Sequence, residues 1–270
     1  MTGVQTCALP ISPVITSTLT TPVVYTENSA AISVDGTLWL SDPDLPASWN
    51  NYVITAQLVN PQEGDLLSIA GSVDYAVAAN DGTISDGKGT QIGTYQILEN
   101  GSKAVITMTG GSAARLLRLI SYRSTSENPS TERRTISISV DDGQAVSDLK
   151  LISLDIKPIN DAPTVALVGG SQTFTEDGAP VNVLTNAPTV GDVDNANFNG
   201  GLLRVFFANT ANGLATLGLR NAGSTPAVGQ IGLDGTTVLL GSNPIGTLSV
   251  FSDRLNVNFT SDLVTADVVS

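Results

Sequence analysis

The 270-residue chain has no histidine, a single cysteine, 5% aromatic residues and 12 Lys+Arg against 25 Asp+Glu. Each shortage excludes something. Without histidine there is no Ser-His-Asp triad, no histidine general base and almost no route to a catalytic zinc site. One cysteine cannot close a disulfide within the chain. The net charge of −13 repels nucleic acid and anionic membrane surfaces, so neither is an expected partner. It attracts cations, and hard carboxylate and carbonyl oxygens suit calcium above others. No segment approaches the roughly 18 apolar residues of a membrane-spanning helix.

What the chain does have is short apolar runs, 41% hydrophobic residues overall, and frequent Gly, Ser, Thr and Asn. Length alone suggests about two domains. The runs Arg134–Val140, Leu149–Ile156, Lys103–Thr109, Leu202–Ala208 and Thr247–Ser252 are β-rich, several alternating at period two. Turn signals fall between them at Asp35-Gly36, Asn80-Asp81-Gly82, Asp86-Gly87, Asn100-Gly101, Asp142-Gly143 and Asp234-Gly235. One helical turn is expected at Ser112–Leu119, capped by Ser112, with Ala114, Leu117 and Leu119 inward. With no βαβ rhythm, the expected fold class is all-β, in antiparallel sandwiches.

The opening Met1–Ile11 (MTGVQTCALPI) resembles an in-frame translation of a common short-read sequencing adapter, so residues 1–11 are set apart from fold reasoning together with Cys7. Beyond them the same landmarks occur twice. VVYTEN (Val23–Asn28) returns as QTFTED (Gln172–Asp177), placing Glu27 and Glu176 149 positions apart. SDPD (Ser41–Asp44) returns as GDVD (Gly191–Asp194), displaced by 150, and Ala104–Ala114 resembles Asn256–Ala266 at an offset of 152. Three matches in one order at near-constant spacing define an internal repeat. The expected division is 12–163 and 164–270. The second copy stops near the equivalent of Arg118, so a chain cut at both ends, with an incomplete second repeat, is the expectation.

Acids gather around the segment between the copies, SLDIKPINDAPTV (Ser153–Val165). Pro158 and Pro163 stiffen it, with Asn160-Asp161 between them. Asp141, Asp142 and Asp155 precede this joint and Asp192 and Asp194 follow it. A D-x-D pair on an extended loop can turn both carboxylates to one ion, and calcium takes about 6–8 oxygens at about 2.3–2.6 Å. Plainer readings stay open beside this one. Asp141-Asp142-Gly143 can be a hairpin turn, Glu27 and Glu176 can be solvated edge residues, and Asp192 with Asp194 can form an Asx-turn.

These landmarks together (TEN/TED, DPD/DVD, the R-x-I-S-I-S-V-D-D-G strand and IKPINDAP) resemble the cadherin-like tandem repeats of large bacterial adhesins, and also the repeats of chondroitin-sulfate-type proteoglycans. The resemblance covers about residues 20–270. It implies calcium at the inter-repeat joint, held by Glu27, Asn160, Asp161, Asp192 and Asp194, with Asp142 or Asp155 joining. Asp42 and Asp44 would serve a preceding joint. The chain departs from the cadherin pattern at Ala162, in lacking a mid-domain acidic motif, and in repeat length.

The function this implies is a calcium-rigidified structural segment of an extracellular or cell-surface protein of a Gram-negative bacterium, without catalytic activity. Its partners would be calcium, neighbouring repeats of the same chain, and cell-surface or matrix ligands met through other domains. The alternative is a ligand- or carbohydrate-binding module of a secreted enzyme. For that reading aromatics are scarce: Trp39, in TLWL, is expected in the core and Trp49, beside Asn50 and Asn51, at the surface. A glycosidase-like carboxylate pair has no recognisable motif to support it.

Overall fold

In a computed structural model the residues described are 10–43, 49–111, 114–167, 171–184, 186–208 and 215–269. The chain divides into two compact units, Met1–Ile159 and Asn160–Ser270. Both are built from strands.

The first unit contains β1 (Val14–Thr16), β2 (Val23–Thr26), β3 (Ile32–Ser33), β4 (Trp39–Ser41), β5 (Val53–Leu58), β6 (Asp65–Ile69), β7 (Tyr75–Ala78), β8 (Thr83–Asp86), β9 (Gln91–Leu98), β10 (Lys103–Met108), β11 (Ile120–Ser124), β12 (Arg134–Asp141) and β13 (Lys150–Lys157). Eight of them form one sheet in the order β2-β13-β12-β5-β10-β9-β8-β7; β3-β11-β6 form a second, and β1 pairs with β4. All these pairings are antiparallel except β2 with β13, which is parallel.

The period-two pattern decides which side chains meet. Ile54, Ala56 and Leu58 of β5, Ala104, Ile106 and Met108 of β10, and Ile136, Ile138 and Val140 of β12 all face inward. Leu67 and Ile69 of β6 and Ile120 and Tyr122 of β11 join them in a single core, as a sandwich requires. Truncating one of these buried aliphatics to alanine costs about 2–5 kcal/mol.

One charged pair lies inside this core. Asp65 and Arg134 occupy inward positions on β6 and β12, so their ion pair (Arg134 Nε to Asp65 Oδ2, 2.6 Å) ties the two sheets together with both side chains fully buried. The Asp65 carboxylate also accepts hydrogen bonds from the Tyr122 hydroxyl and, at 2.8 Å, from the Gln62 amide. Arg134 donates a second bond to the Glu132 carbonyl. Burial, then the hydrogen bond to Asp65, pushes the Tyr122 phenol well above its ordinary value.

The second unit contains β14 (Thr164–Ala166), β15 (Thr189–Gly191), β16 (Leu202–Phe206), β17 (Ile231–Asp234), β18 (Thr237–Leu240), β19 (Asn243–Val250) and β20 (Arg254–Phe259). β14 pairs with β15, and the rest form an antiparallel sheet β16-β20-β19-β18-β17. A smaller core gathers Val238, Ile245, Leu255, Val257, Phe259 and Val264.

Features recur between the units. Val14 pairs with Ser41 and Thr164 with Gly191, the same register displaced by 150. The order β5-β10-β9-β8-β7 matches β16-β20-β19-β18-β17 strand for strand. The TEN and TED segments form the same turn: the Ser29 amide donates to Thr26 O (3.1 Å) and the Gly178 amide to Thr175 O (2.9 Å). The third residue of each turn is left-handed, Asn28 at φ 61° and Asp177 at φ 60°, a conformation that Asn and Asp tolerate better than most side chains.

Several expectations change. The helical turn is a 3-10 turn at Leu116–Leu119, with Leu116, Leu117 and Leu119 buried, and Ser112 lies outside the described residues. The two tryptophans exchange places. Leu38 and Leu40 take the inward positions around β4, so alternation turns Trp39 outward to 42% exposure. Trp49 is only 9% exposed and packs edge-on against Tyr52 at 5.1 Å. Cys7 and Asp44 also lie outside the described residues.

Candidate metal centre

The strongest candidate sits where the chain leaves the first unit. β2 runs parallel to β13, and the Glu27 amide extends that ladder by donating to Lys157 O (3.0 Å). The turn at Thr26–Ser29 then directs the Glu27 side chain back along the end of β13. Its Oε2 accepts from the Ile159 amide at 2.7 Å, beyond Pro158, which has no N–H to give.

Glu27 is only 1% exposed, and its second oxygen, Oε1, is buried with no hydrogen-bond partner. A carboxylate oxygen of Glu127, from the loop after β11, lies within 4.8 Å. Among the described residues no Lys or Arg forms an ion pair with either glutamate. A cation between two carboxylates this close, one of them deeply buried, would offset their mutual repulsion and the lost solvation. The donors are all oxygen, which suits a hard divalent cation such as calcium. Glu127 carries no signal in the sequence, because a loop acid in SENPS looks like any solvated one.

Around the D-x-D loop of the second unit the chain folds into a hydrogen-bonded knot. The β14–β15 pairing sets Asn160-Asp161, just before β14, beside Asp192–Asn195, just after β15. The Asp161 amide donates to Asp194 Oδ2 (2.5 Å), and Asn195 Nδ2 donates to Asn160 Oδ1 (3.2 Å). Asp192 Oδ1 accepts from the amides of Asp194 and Asn195, both at 2.9 Å. Asn160, Asp161, Asp192 and Asp194 are therefore neighbours, and Asp192 forms the Asx-turn of the plainer reading.

Asp142 and Asp155 do not join them. Asp142 lies in the loop between β12 and β13, at the opposite end of those strands from Lys157. Its Oδ1 caps the loop by accepting from the amides of Gln144 (2.6 Å) and Ala145 (2.7 Å), which is the hairpin-turn reading. Asp155 points to the outer face of β13, where both its oxygens hold Arg133 at 2.7 and 3.2 Å. That pairing raises the Arg133 guanidinium further above its ordinary value, first through the hydrogen bond and then through charge. Glu176 is exposed on its turn, and Asp42 accepts from the Tyr52 hydroxyl at 2.6 Å.

Comparison with known proteins adds no identity to this geometry: no family model matches the chain, and no curated protein matches it.

Proposed function

We propose that this chain is a calcium-binding structural segment of an extracellular, adhesin-like protein, in which the ion fixes the exit of one β-sandwich. The observation that carries this reading is the buried Glu27 carboxylate, with Oε1 unpartnered and a second carboxylate, from Glu127, within 4.8 Å. A calcium ion would supply the positive charge the pair lacks. Because Glu27 also holds the Ile159 amide, an ion there would stiffen the segment leading out of the unit. The resemblance to cadherin-like repeats would add Asn160, Asp161, Asp192 and Asp194 to the ligand set and make the ion a brace on the joint. Binding to the folded state alone adds stability as RT ln(1 + [Ca²⁺]/Kd), about 2.7 kcal/mol at a hundredfold excess over Kd. In a chain with no disulfide such a contribution has an evident use.

The test is calorimetric titration of calcium into the chain and into Glu27→Gln, Glu127→Gln, Asp142→Asn and Asp155→Asn variants. The reading expects at least tenfold weaker binding for the first two and unchanged binding for the last two. Equal binding by all five proteins would refute it. A second reading, a ligand-binding module, is favoured by Trp39, which is exposed with the Arg115 and Arg118 guanidinium groups 5.7 and 5.9 Å from its ring. Should calcium not bind at all, that face becomes the leading site.

A further inference from the structure

The matching sheets of the two units differ at one edge. In both, a five-strand series runs from β5 or β16 to a partner distant in sequence, β10 or β20, and on through three hairpin connections to β7 or β17. The two series keep the same register. Ala104 pairs with Ala56 and Ile106 with Ile54; in the same places Leu255 pairs with Val205 and Val257 with Leu203. β10 and β20 share one burial pattern, residue for residue. β5 therefore maps onto β16 with an offset of 149.

Beyond that strand the units differ. β5 is flanked by β12, which pairs with it from Ile136↔Leu58 to Asp141↔Val53. β16 is the last strand of its sheet, and among the described residues nothing pairs with its outer edge. The consequence is visible in the inward-facing side chains. Ile54 and Ala56 are each 1% exposed, whereas Val205, the counterpart of Ala56, is 37% exposed. Leu202 and Phe206, on the opposite face of the strand, are 47% and 63% exposed. An edge of this kind templates the pairing of a further strand.

We infer that the β16 edge is an acceptor site for a β-hairpin of the β12–β13 pattern, entering antiparallel to β16. The occupant is defined by chemistry. Inward positions opposite Leu203 and Val205 take Ile or Val, as Val140 and Ile138 do opposite Ile54 and Ala56. Positions opposite Leu202, Arg204 and Phe206 take small polar or acidic residues, as Asp141, Ser139 and Ser137 do on β12. A second copy of β16 fits less well, because symmetric antiparallel pairing centred on the strand would set Arg204 against Arg204, and like charges opposite one another destabilise a ladder.

The experiment appends residues 132–158 behind Ser270 through a flexible Gly/Ser linker and follows amide hydrogen exchange of residues 202–207. A control fusion carries the same composition with Ile136, Ile138 and Val140 moved to outward positions. The inference expects at least tenfold slower exchange of the outward β16 amides in the first fusion and no change in the control. Equal exchange in both fusions, whether slowed or not, overturns it. Sedimentation of the unfused chain supplies the remaining arm: a dimer with β16 already protected would show that a second copy occupies the edge, and would overturn the hairpin.

Discussion

Arg134→Met removes the cation from a pair that lies wholly inside the sandwich. Arg134 and Asp65 are both shielded from solvent, so the variant leaves the Asp65 carboxyl group in the core without its cation, with the Tyr122 hydroxyl and the Gln62 amide as neutral donors. Removing one partner of a buried pair costs about 3–5 kcal/mol, whereas replacing both with apolar residues of similar volume is often neutral or stabilising. For a unit of this size about 2–4 °C of melting temperature accompanies each kcal/mol, so Arg134→Met lowers the transition by about 6–20 °C. Asp65→Leu with Arg134→Met recovers most of that loss. Both tryptophans lie in the first unit, at positions 39 and 49, so fluorescence-monitored guanidinium unfolding reads that unit alone. A single-variant cost below about 1 kcal/mol, or a double variant as unstable as the sum of the singles, would refute the claim that a mismatched charge is what destabilises the core.

Two further outcomes follow from the same geometry. Because burial and Asp65 raise Tyr122 above its unfolded value of about 10, its contribution to stability is fully present below about pH 10 and is lost as the pH rises beyond it; Tyr122→Phe flattens that alkaline limb of a pH–stability curve measured by the same fluorescence assay. At the TEN turn, the left-handed Asn28 (φ 61°) makes Asn28→Val costly by about 1–2 kcal/mol while Asn28→Gly is near neutral, and equal midpoints for the two in chemical denaturation would contradict the turn assignment.

Much of the architecture is legible in the sequence because it is written in alternation. Runs such as Arg134–Val140 and Lys103–Thr109 became strands at nearly the expected bounds, and Asp234-Gly235 turns a hairpin closed by Asp234↔Thr237. Parity also explains the tryptophan error. TLWL reads as uniformly apolar, but with Leu38 and Leu40 inward the residue between them faces out. The Asp65–Arg134 pair was readable by the same rule, since each charge falls in phase with the apolar positions of its own strand. The candidate site is less legible. Its acids are brought together by a parallel pairing of β2 with β13 and by the path of a loop after β11, and neither is a local property. The orphaned Oε1 of Glu27 exists only once the side chain has been folded over the Ile159 amide.

The parallel pairing of β2 with β13 has a mechanical consequence. In chain order these are the first and last strands of the eight-stranded sheet, and their register runs from Val23↔Leu154 to Thr26↔Lys157. Tension applied at Val23 and at Lys157 pulls the two strands in opposite directions along their length. The evenly spaced bonds of a parallel ladder are then loaded together in shear, not peeled one after another. Rupture requires several bonds to fail at once, so the unit resists stretching along its own chain direction better than its equilibrium stability alone would indicate.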